Sequence, residues 1–228
     1  MSIVGFAYSG LLATDPMIRL PADPLRRGAV GRLRRAVDAA IAAGNNGPMG
    51  RRPVPIGQRR TDLVFVAFFL LNLTFITYVV DLEQLVIADP ARFAYPPWPP
   101  APLVDLVHWY GRHFDPLLLA RPPFWRMTIW IDVLLFGPFY AFATYAFLRG
   151  GDWIRVPALV WSGMMTSNVL IILMEERYGV WATPRFGVVL ALNLPWLLLP
   201  AAVVWRMRRD HPFTVAAPAP ATGALTIG

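Results

Sequence analysis

The chain has 228 residues, 56 % of them hydrophobic, and a mean hydropathy of +0.47, whereas soluble domains are only about 45–50 % apolar. Cysteine is absent and the three histidines are scattered, which excludes thiol chemistry and a helical zinc motif, so we expect neither a metal nor a cofactor. All 21 basic residues are arginines, mostly beside apolar segments, which favours contact with anionic lipid over a nucleic-acid partner.

Residues 1–60 are predicted to form a cytosolic arm that is rich in Pro, Gly and Arg. Within it, the run 30–41 has one apolar face, which favours a surface helix. That face consists of Val30, Leu33, Val37 and Ile41. The rest of the arm has the composition of a disordered segment. We therefore predict three parts: the arm, a membrane domain at 61–213 and a flexible tail at 214–228.

Four apolar stretches are long enough to cross a bilayer, which takes about 20 helical residues. They are 63–80, 127–148, 154–174 and 186–205. The predicted fold is an all-α membrane protein with a four-transmembrane-helix bundle. If the N-terminus is cytosolic, six of the 21 arginines lie on the opposite side, and the positive-inside rule then places both termini in the cytosol. Those six are Arg92, Arg112, Arg121, Arg126, Arg177 and Arg185.

The loop 81–126 is longer than a plain connector, and its many prolines divide it into short pieces. One piece, 103–114, has the periodicity of a helix with a single apolar face. The face consists of Leu103, Leu106, Val107, Tyr110 and Phe114. We expect this helix to lie on the outer membrane surface as a lid over the mouth of the bundle.

Two aspartates are predicted to face the interior of the bundle. Asp132 lies inside the second span, where a carboxylate exposed to lipid costs several kcal/mol, and Asp81 closes the first span. The predicted topology puts both at similar depth near the outer mouth. Two carboxyl groups in one poorly hydrated cavity act as a proton donor beside an acceptor, or share one proton. Asp81 has an alternative role as an interfacial residue that caps the lid loop.

Other polar residues in the predicted spans complete a candidate lining. Glu175 and Glu176 end the third span, and we take Glu175 as the candidate, while Glu83, Asp89 and Asp105 are predicted to be solvated. The remaining candidates are Asn168, Asn193 and Trp196. Such groups also serve simply to hold transmembrane helices together.

Several segments together resemble the EXPERA family, which includes emopamil-binding sterol isomerases and sigma-2 receptor-like proteins. The segments begin at Asp115, Pro122, Phe142 and Trp153, and the likeness extends over about 61–213. The resemblance implies a four-helix bundle with a lateral opening, a cavity for a sterol-sized ligand, and a homodimer. By position it implies catalytic roles for Asp81 and Asp132. It implies substrate-binding roles for six further residues, which are Thr77, Asp115, Asn168, Glu175, Asn193 and Trp196. Thr77 stands where the isomerases have a histidine, and the isomerases' second-span acid lies one turn earlier than Asp132.

Three functions compete at this point. The first is an enzyme, either a sterol or isoprenoid double-bond isomerase or a membrane terpene cyclase, in which one aspartate protonates an olefin and the other is the counter-ion. The second is a non-catalytic sterol or lipid binder or carrier. The third is a structural scaffold, which predicts that Asp132 pairs with an arginine. The Arg-, Ala-, Pro- and Gly-rich composition suggests a GC-rich bacterial genome and thus the plasma membrane, or the endoplasmic reticulum in a eukaryote.

Overall fold

The computed structural model describes residues 50–217, so the predicted surface helix at 30–41 lies outside the described residues. The helices are α1 (Asp62–Val86), α2 (Ala101–His113), α3 (Pro116–Ala120), α4 (Pro123–Arg149), α5 (Asp152–Tyr178) and α6 (Phe186–Arg206). Helices α1, α4, α5 and α6 are long and apolar enough to cross a membrane, and each contains one predicted span. The prediction of an all-α integral membrane protein with four spanning helices is confirmed.

Proline and glycine set the boundaries of α4. Pro123 begins the helix at a position where its missing N–H is not needed. Gly150 ends it with φ 76°, a left-handed conformation that glycine adopts without strain. Because the connection to α5 is so short, the two helices run antiparallel. Along the bundle, α1 packs mainly on α4, and α5 packs on α6.

Two of the long helices widen into π-helical geometry in mid-span, at Asn72–Asp81 in α1 and Asp132–Phe136 in α4. In α4 the wide turns directly precede Pro138, whose ring collides with the carbonyl four residues earlier in a regular helix. In α1 the Thr74 hydroxyl donates to the Leu70 carbonyl, a side-chain bond that competes with regular helix geometry. π-helical turns are rare and occur frequently at functional sites.

Helix α2 confirms the helix predicted at 103–114, although a different set of residues faces the protein. It begins after Pro100, as the proline pattern indicates. Its buried positions are Val104, Val107, His108 and Gly111. Leu106, predicted to lie on the apolar face, is 48 % exposed, because the buried face is centred on His108 rather than on the leucines. The position of α2 on the membrane surface remains a prediction.

The prediction that Glu83 is solvated is wrong, because its side chain is fully buried in an ion cluster. A guanidinium nitrogen of Arg121 donates to both Glu83 oxygens at 2.8–2.9 Å, and His108 Nε2 lies 2.9 Å from one of them. Arg121 also donates to the carbonyls of Ile87, at 2.5 Å, and Leu118. Its backbone is left-handed, with φ 49°. This cluster fastens the loop between α1 and α4 to the end of α1.

The opposite end of the bundle is closed by a short strand pair, β1 (Arg51–Pro53) and β2 (Thr214–Ala216), which run antiparallel. Beside it, Asp62 at the start of α1 pairs with Arg59 and accepts two bonds from Arg206 at 2.7 and 2.9 Å. Both guanidinium groups lie over the ring of Phe213. Residues from the predicted arm and the predicted tail thus contact each other at this end.

Aromatic packing fills the half of the bundle nearest the strands. The buried Phe69 ring lies 5.3 Å from Phe147 and 5.7 Å from Trp161, both in edge-to-face geometry. Phe65 and Tyr140 extend the same cluster. Since rings in such geometry pack densely, little space remains in this half. The space that the helices enclose lies in the other half, beneath α2 and α3.

Candidate functional site

A cavity of about 400 Å³ lies inside the half of the bundle that carries α2 and α3. All four spanning helices contribute to its wall, and residues of α2 and α3 close the end. Most of the wall is apolar, and aromatic rings form a large share of it. The rings are Phe75, Tyr110, Trp125, Phe136 and Trp196. A cavity of this size and lining is typical of a site for a small organic ligand.

Asp81 and Asp132 lie together in this wall, as predicted from their positions in the sequence. Asp81 ends the π-helical segment of α1, and Asp132 begins that of α4. Their carboxyl groups are within hydrogen-bonding reach of each other. Two carboxyl groups so close in an apolar wall are stable together when they hold one proton between them. The pair can therefore both donate a proton and carry a negative charge.

Thr77 supports this pair from behind. Its side chain is fully buried and is not part of the cavity wall. The hydroxyl donates to Oδ1 of Asp132 at 2.5 Å. Among residues 50–217 no arginine pairs with Asp132, so the scaffold hypothesis lacks the contact that it predicts. Thr77 therefore orients the Asp132 carboxyl within the pair.

The predicted amides and tryptophan of α5 and α6 also face the cavity. Asn168, Asn193 and Trp196 are all in the wall. The Trp196 indole N–H donates to Oδ1 of the buried Asn72 at 2.8 Å, which fixes the ring between α6 and α1. The Asn193 amide donates to the Val189 carbonyl of its own helix. The ring of Trp196 is thus held in one orientation while its face lines the cavity.

A second acid pair lines the same cavity nearer the loops. Asp115 caps the start of α3 by accepting from the Leu118 N–H at 3.2 Å, and its carboxyl is within hydrogen-bonding reach of Glu176 on α5. Burial raises the pKa of Asp115 to about 6, even though bonds from the Leu118 and Leu117 amides and from Glu176 lower it. Glu176 is fully buried, and apart from the Asp115 carboxyl neither of its oxygens has a hydrogen-bond donor among the described residues.

The structure puts Glu176, not the predicted Glu175, in the cavity wall. Glu175 lies outside and accepts a bond from the backbone N–H of Trp181 at 3.2 Å. Successive residues of a helix point about 100° apart, so only one of two adjacent acids faces inward. The sequence holds a signal for the choice, because the inward residues of α5 recur at spacings of four, three and four. They are Met165, Val169, Ile172 and Glu176.

Gln84, Tyr110 and Trp125 also line the cavity, and the sequence reasoning missed them. Gln84 follows Asp81 by one helical turn and therefore shares its face. Its side-chain oxygen accepts from the Trp125 indole N–H at 2.6 Å, which joins α1 to α4 at the cavity rim. Helical spacing from Asp81 identifies Gln84, whereas Tyr110 and Trp125 are brought to the cavity by packing alone.

The charged side chains in the described cavity wall are all acidic. Among the described residues, the cavity wall holds the carboxyl groups of Asp81, Asp115, Asp132 and Glu176 and no basic side chain. No group of three or more His, Asp or Glu in the described part of the chain is arranged to hold a metal ion. An apolar cavity with such a wall favours an organic ligand that carries a positive charge or a hydrogen-bond donor.

Comparison with known proteins finds a matching family and several similar proteins. The family model described as EBP, EXPERA (EXPanded EBP superfamily), matches residues 102–207. Sigma intracellular receptor 2 of Xenopus tropicalis is 30 % identical over 162 residues, which cover 65 % of this chain and 88 % of that protein. The Macaca fascicularis and Homo sapiens proteins of the same name are 33 % and 32 % identical, over 53 % and 52 % of this chain and 64 % of their own length.

Proposed function

The chain belongs to the EXPERA superfamily, and on this premise we propose that it binds a sterol- or isoprenoid-like lipid within the membrane, in the acid-lined cavity. The observation that supports the proposal most directly is the Asp81–Asp132 pair in an otherwise apolar wall. The apolar rings accommodate a lipid skeleton, and the acid pair binds its polar or cationic group. The likeness to sigma intracellular receptor 2 proteins is consistent with a receptor or carrier role.

The acid pair supports binding of hydrophobic amines in particular. With one proton shared, the pair keeps one negative charge that no basic side chain in the described wall neutralises. An ammonium group supplies the missing counter-charge through a charge-assisted hydrogen bond, which is stronger than a neutral one. The faces of Trp125 and Trp196 offer further attraction to a cation.

Replacement of Asp81 tests this proposal. We expect Asp81→Asn to abolish binding of N,N-dimethyldodecylamine, because an amide at position 81 gives the ammonium group no charge-assisted hydrogen bond. Binding is measured by isothermal titration with the protein in phosphatidylcholine nanodiscs, with empty nanodiscs as the blank. The matched control is Asp89→Asn, which alters an exposed acid of the loop outside the cavity. Retained affinity in Asp81→Asn means that Asp81 is an interfacial cap of the loop.

A second candidate function, catalysis by olefin protonation, is favoured by the contact between Thr77 and Asp132. The Thr77 hydroxyl stabilises Asp132 as the carboxylate, so the shared proton is available from Asp81. In the reaction, the proton adds to one carbon of a double bond and leaves a carbocation at the other. Asp132 then removes a proton from a neighbouring carbon, so the double bond moves and the acid pair is restored. The aromatic wall stabilises the cation between the two steps.

Deuterium labelling separates the enzyme from the binder. The purified protein is incubated in deuterated water with candidate sterols and polyprenyl lipids, and the recovered lipid is examined by mass spectrometry. Catalysis predicts deuterium on carbon that is lost in Asp132→Asn, since that variant cannot exchange a proton with the substrate. Unlabelled lipid that co-purifies tightly with the wild-type protein supports a non-catalytic binder and contradicts the enzyme.

A further inference from the structure

The Asp115–Glu176 pair is an acidic cluster that the proposed function does not use. Glu176 is fully buried in the cavity wall, and apart from the Asp115 carboxyl its oxygens have no hydrogen-bond donor among the described residues. A buried carboxyl group without a donor costs free energy, on the order of 1–3 kcal/mol. The adjacent Glu175, by contrast, has a backbone partner outside the cavity. Once one proton is shared with Asp115, Glu176 therefore keeps an acceptor oxygen in the cavity wall that no other described residue occupies.

The two acid pairs occupy different depths of the same cavity. Glu176 is two residues from the end of α5, whereas Asp81 is five residues from the end of α1 and Asp132 nine from the start of α4. These helix ends are at the same end of the bundle, and a helix rises 1.5 Å per residue. The Asp81–Asp132 pair is thus deeper than the Asp115–Glu176 pair by roughly 5–10 Å.

Arg121, which follows α3, does not pair with the shallower acids. The guanidinium of Arg121 follows α3 but is fully engaged by Glu83 and by the carbonyls of Ile87 and Leu118. Tyr110, which also lines the cavity, carries no positive charge. Four carboxyl groups in two pairs, each sharing one proton, leave about two negative charges for one ligand.

We propose that Asp115 and Glu176 form a second cation subsite, so that the cavity binds amphiphiles with two basic nitrogens about 5–10 Å apart. One ammonium group binds the deep Asp81–Asp132 pair, and the other binds the shallow Asp115–Glu176 pair and donates to the remaining acceptor oxygen of Glu176. The apolar chain of the ligand lies against the aromatic wall. This inference rests on the proposed function, because the deep pair must first bind an amine.

A matched pair of ligands tests the second subsite. N-dodecyl-N,N′,N′-trimethyl-1,6-hexanediamine and N,N-dimethyldodecylamine share one tail, and the diamine adds a six-carbon linker with a second nitrogen. Each is titrated into the protein in phosphatidylcholine nanodiscs at pH 7, where both amines are protonated. We expect the diamine to bind at least about tenfold more tightly, since a charge-assisted hydrogen bond is gained.

Single substitutions test whether the gain in affinity for the diamine comes from the second subsite. Glu176→Gln is nearly isosteric and is expected to remove the tenfold preference, so that the two amines bind with similar affinity. Glu175→Gln, which alters the adjacent acid outside the cavity, is expected to keep the preference. Asp115→Asn replaces the other half of the pair with a residue that also caps helices, so it is expected to act like Glu176→Gln and decides the case if that variant does not fold.

The outcomes distinguish this inference from the proposed function. Monoamine binding that requires Asp81, together with equal affinities for the two amines or a preference that survives Glu176→Gln, overturns the second subsite and leaves the proposed function intact. A wild-type protein that binds neither amine contradicts both. A preference lost in Glu176→Gln and kept in Glu175→Gln supports the second subsite.

Discussion

The carboxyl group of Asp115 lies where three helices meet. It caps α3 through the Leu118 N–H and reaches Glu176 on α5. The pKa of the Tyr110 phenol on α2 is raised mainly by burial and further by the nearby charge of Asp115. Burial is also the main reason why the pKa of Asp115 rises to about 6 from its ordinary value near 3.8. A residue that looks like a simple helix cap in the sequence thus titrates close to neutral pH.

The raised pKa of Asp115 predicts a pH dependence of stability. Because the folded state favours the protonated acid, this group contributes stability below pH 4 that is lost as the pH rises from about 4 through about 6. We expect Asp115→Asn to lose this part of the pH dependence, since an amide does not titrate. Thermal unfolding in nanodiscs between pH 4 and 7.5 measures it for both proteins. If the unfolding temperatures of the variant and the wild type change with pH in parallel, Asp115 does not titrate in this range.

Single residues also show that the chemical identity of a side chain does not determine where it packs. Glu175 and Glu176 are chemically the same, yet one accepts a backbone bond at the surface and the other lines the cavity. Their one-residue offset rotates the side chain by about 100° around the helix. Thr77 is the converse case, because a small hydroxyl that is absent from the cavity wall still contacts the acid pair through Asp132.

At the scale of elements, the Glu83–Arg121–His108 cluster fastens the loop to the membrane bundle. The loop carries α2 and α3, whose residues close the cavity, so their positions depend on Arg121. A buried ion pair is costly to break from one side, because the remaining charge stays buried without its partner. We therefore expect one substitution in the cluster to lower the free energy of unfolding more than two substitutions do.

Removal of Arg121 tests the cluster. We expect Arg121→Met to lower the free energy of unfolding by roughly 3–5 kcal/mol, because the Glu83 carboxylate then lacks its main counter-charge. The double variant Glu83→Gln with Arg121→Met is expected to recover part of that loss. Thermal unfolding in nanodiscs provides the measurement, and Arg112→Met, at an exposed position of α2, is the control. Equal unfolding temperatures for Arg121→Met and Arg112→Met would mean that the cluster does not stabilise the loop.

The π-helical segments of α1 and α4 are the second feature at this scale. They meet at Asp81 and Asp132, so the acid pair is held by the least regular part of each helix. Wider turns change which side chains face the bundle, since the angle between successive residues decreases. The apolar periodicity of these spans therefore does not by itself predict the face on which each acid lies.

At the scale of the whole molecule, the two halves of the bundle have different roles. Phe69, Phe147 and Trp161 pack the half beside the strand pair, and this packing leaves the half beneath the loop open as a cavity. The packed half also contains the ion pairs of Asp62, which hold the start of α1 to the end of α6. The protein thus combines a rigid base with an acid-lined cavity. Cytosolic termini and a bacterial plasma membrane remain predictions.

The sequence by itself determined the four spanning helices, the helix in the long loop and the inward position of the two aspartates. Each depends on one local property: the length of an apolar run, a proline that begins a helix, or the cost of a carboxylate in lipid. The membership in the EXPERA superfamily is likewise visible in short motifs such as the one at Asp115. These properties need no knowledge of what lies across the bundle.

Outside the Asp81–Asp132 pair, the tertiary structure alone decided which polar groups meet. Glu83 was expected in water because nothing near it in the chain neutralises it, and its partner Arg121 is brought to it by the return of the loop. Asp115 and Glu176 are far apart in the chain and become a pair only in the folded bundle. The physical reason is that the energy of a buried charge depends on its neighbours in space. The second acid pair of the cavity is therefore a property of the fold, whereas the helices that carry it are a property of the sequence.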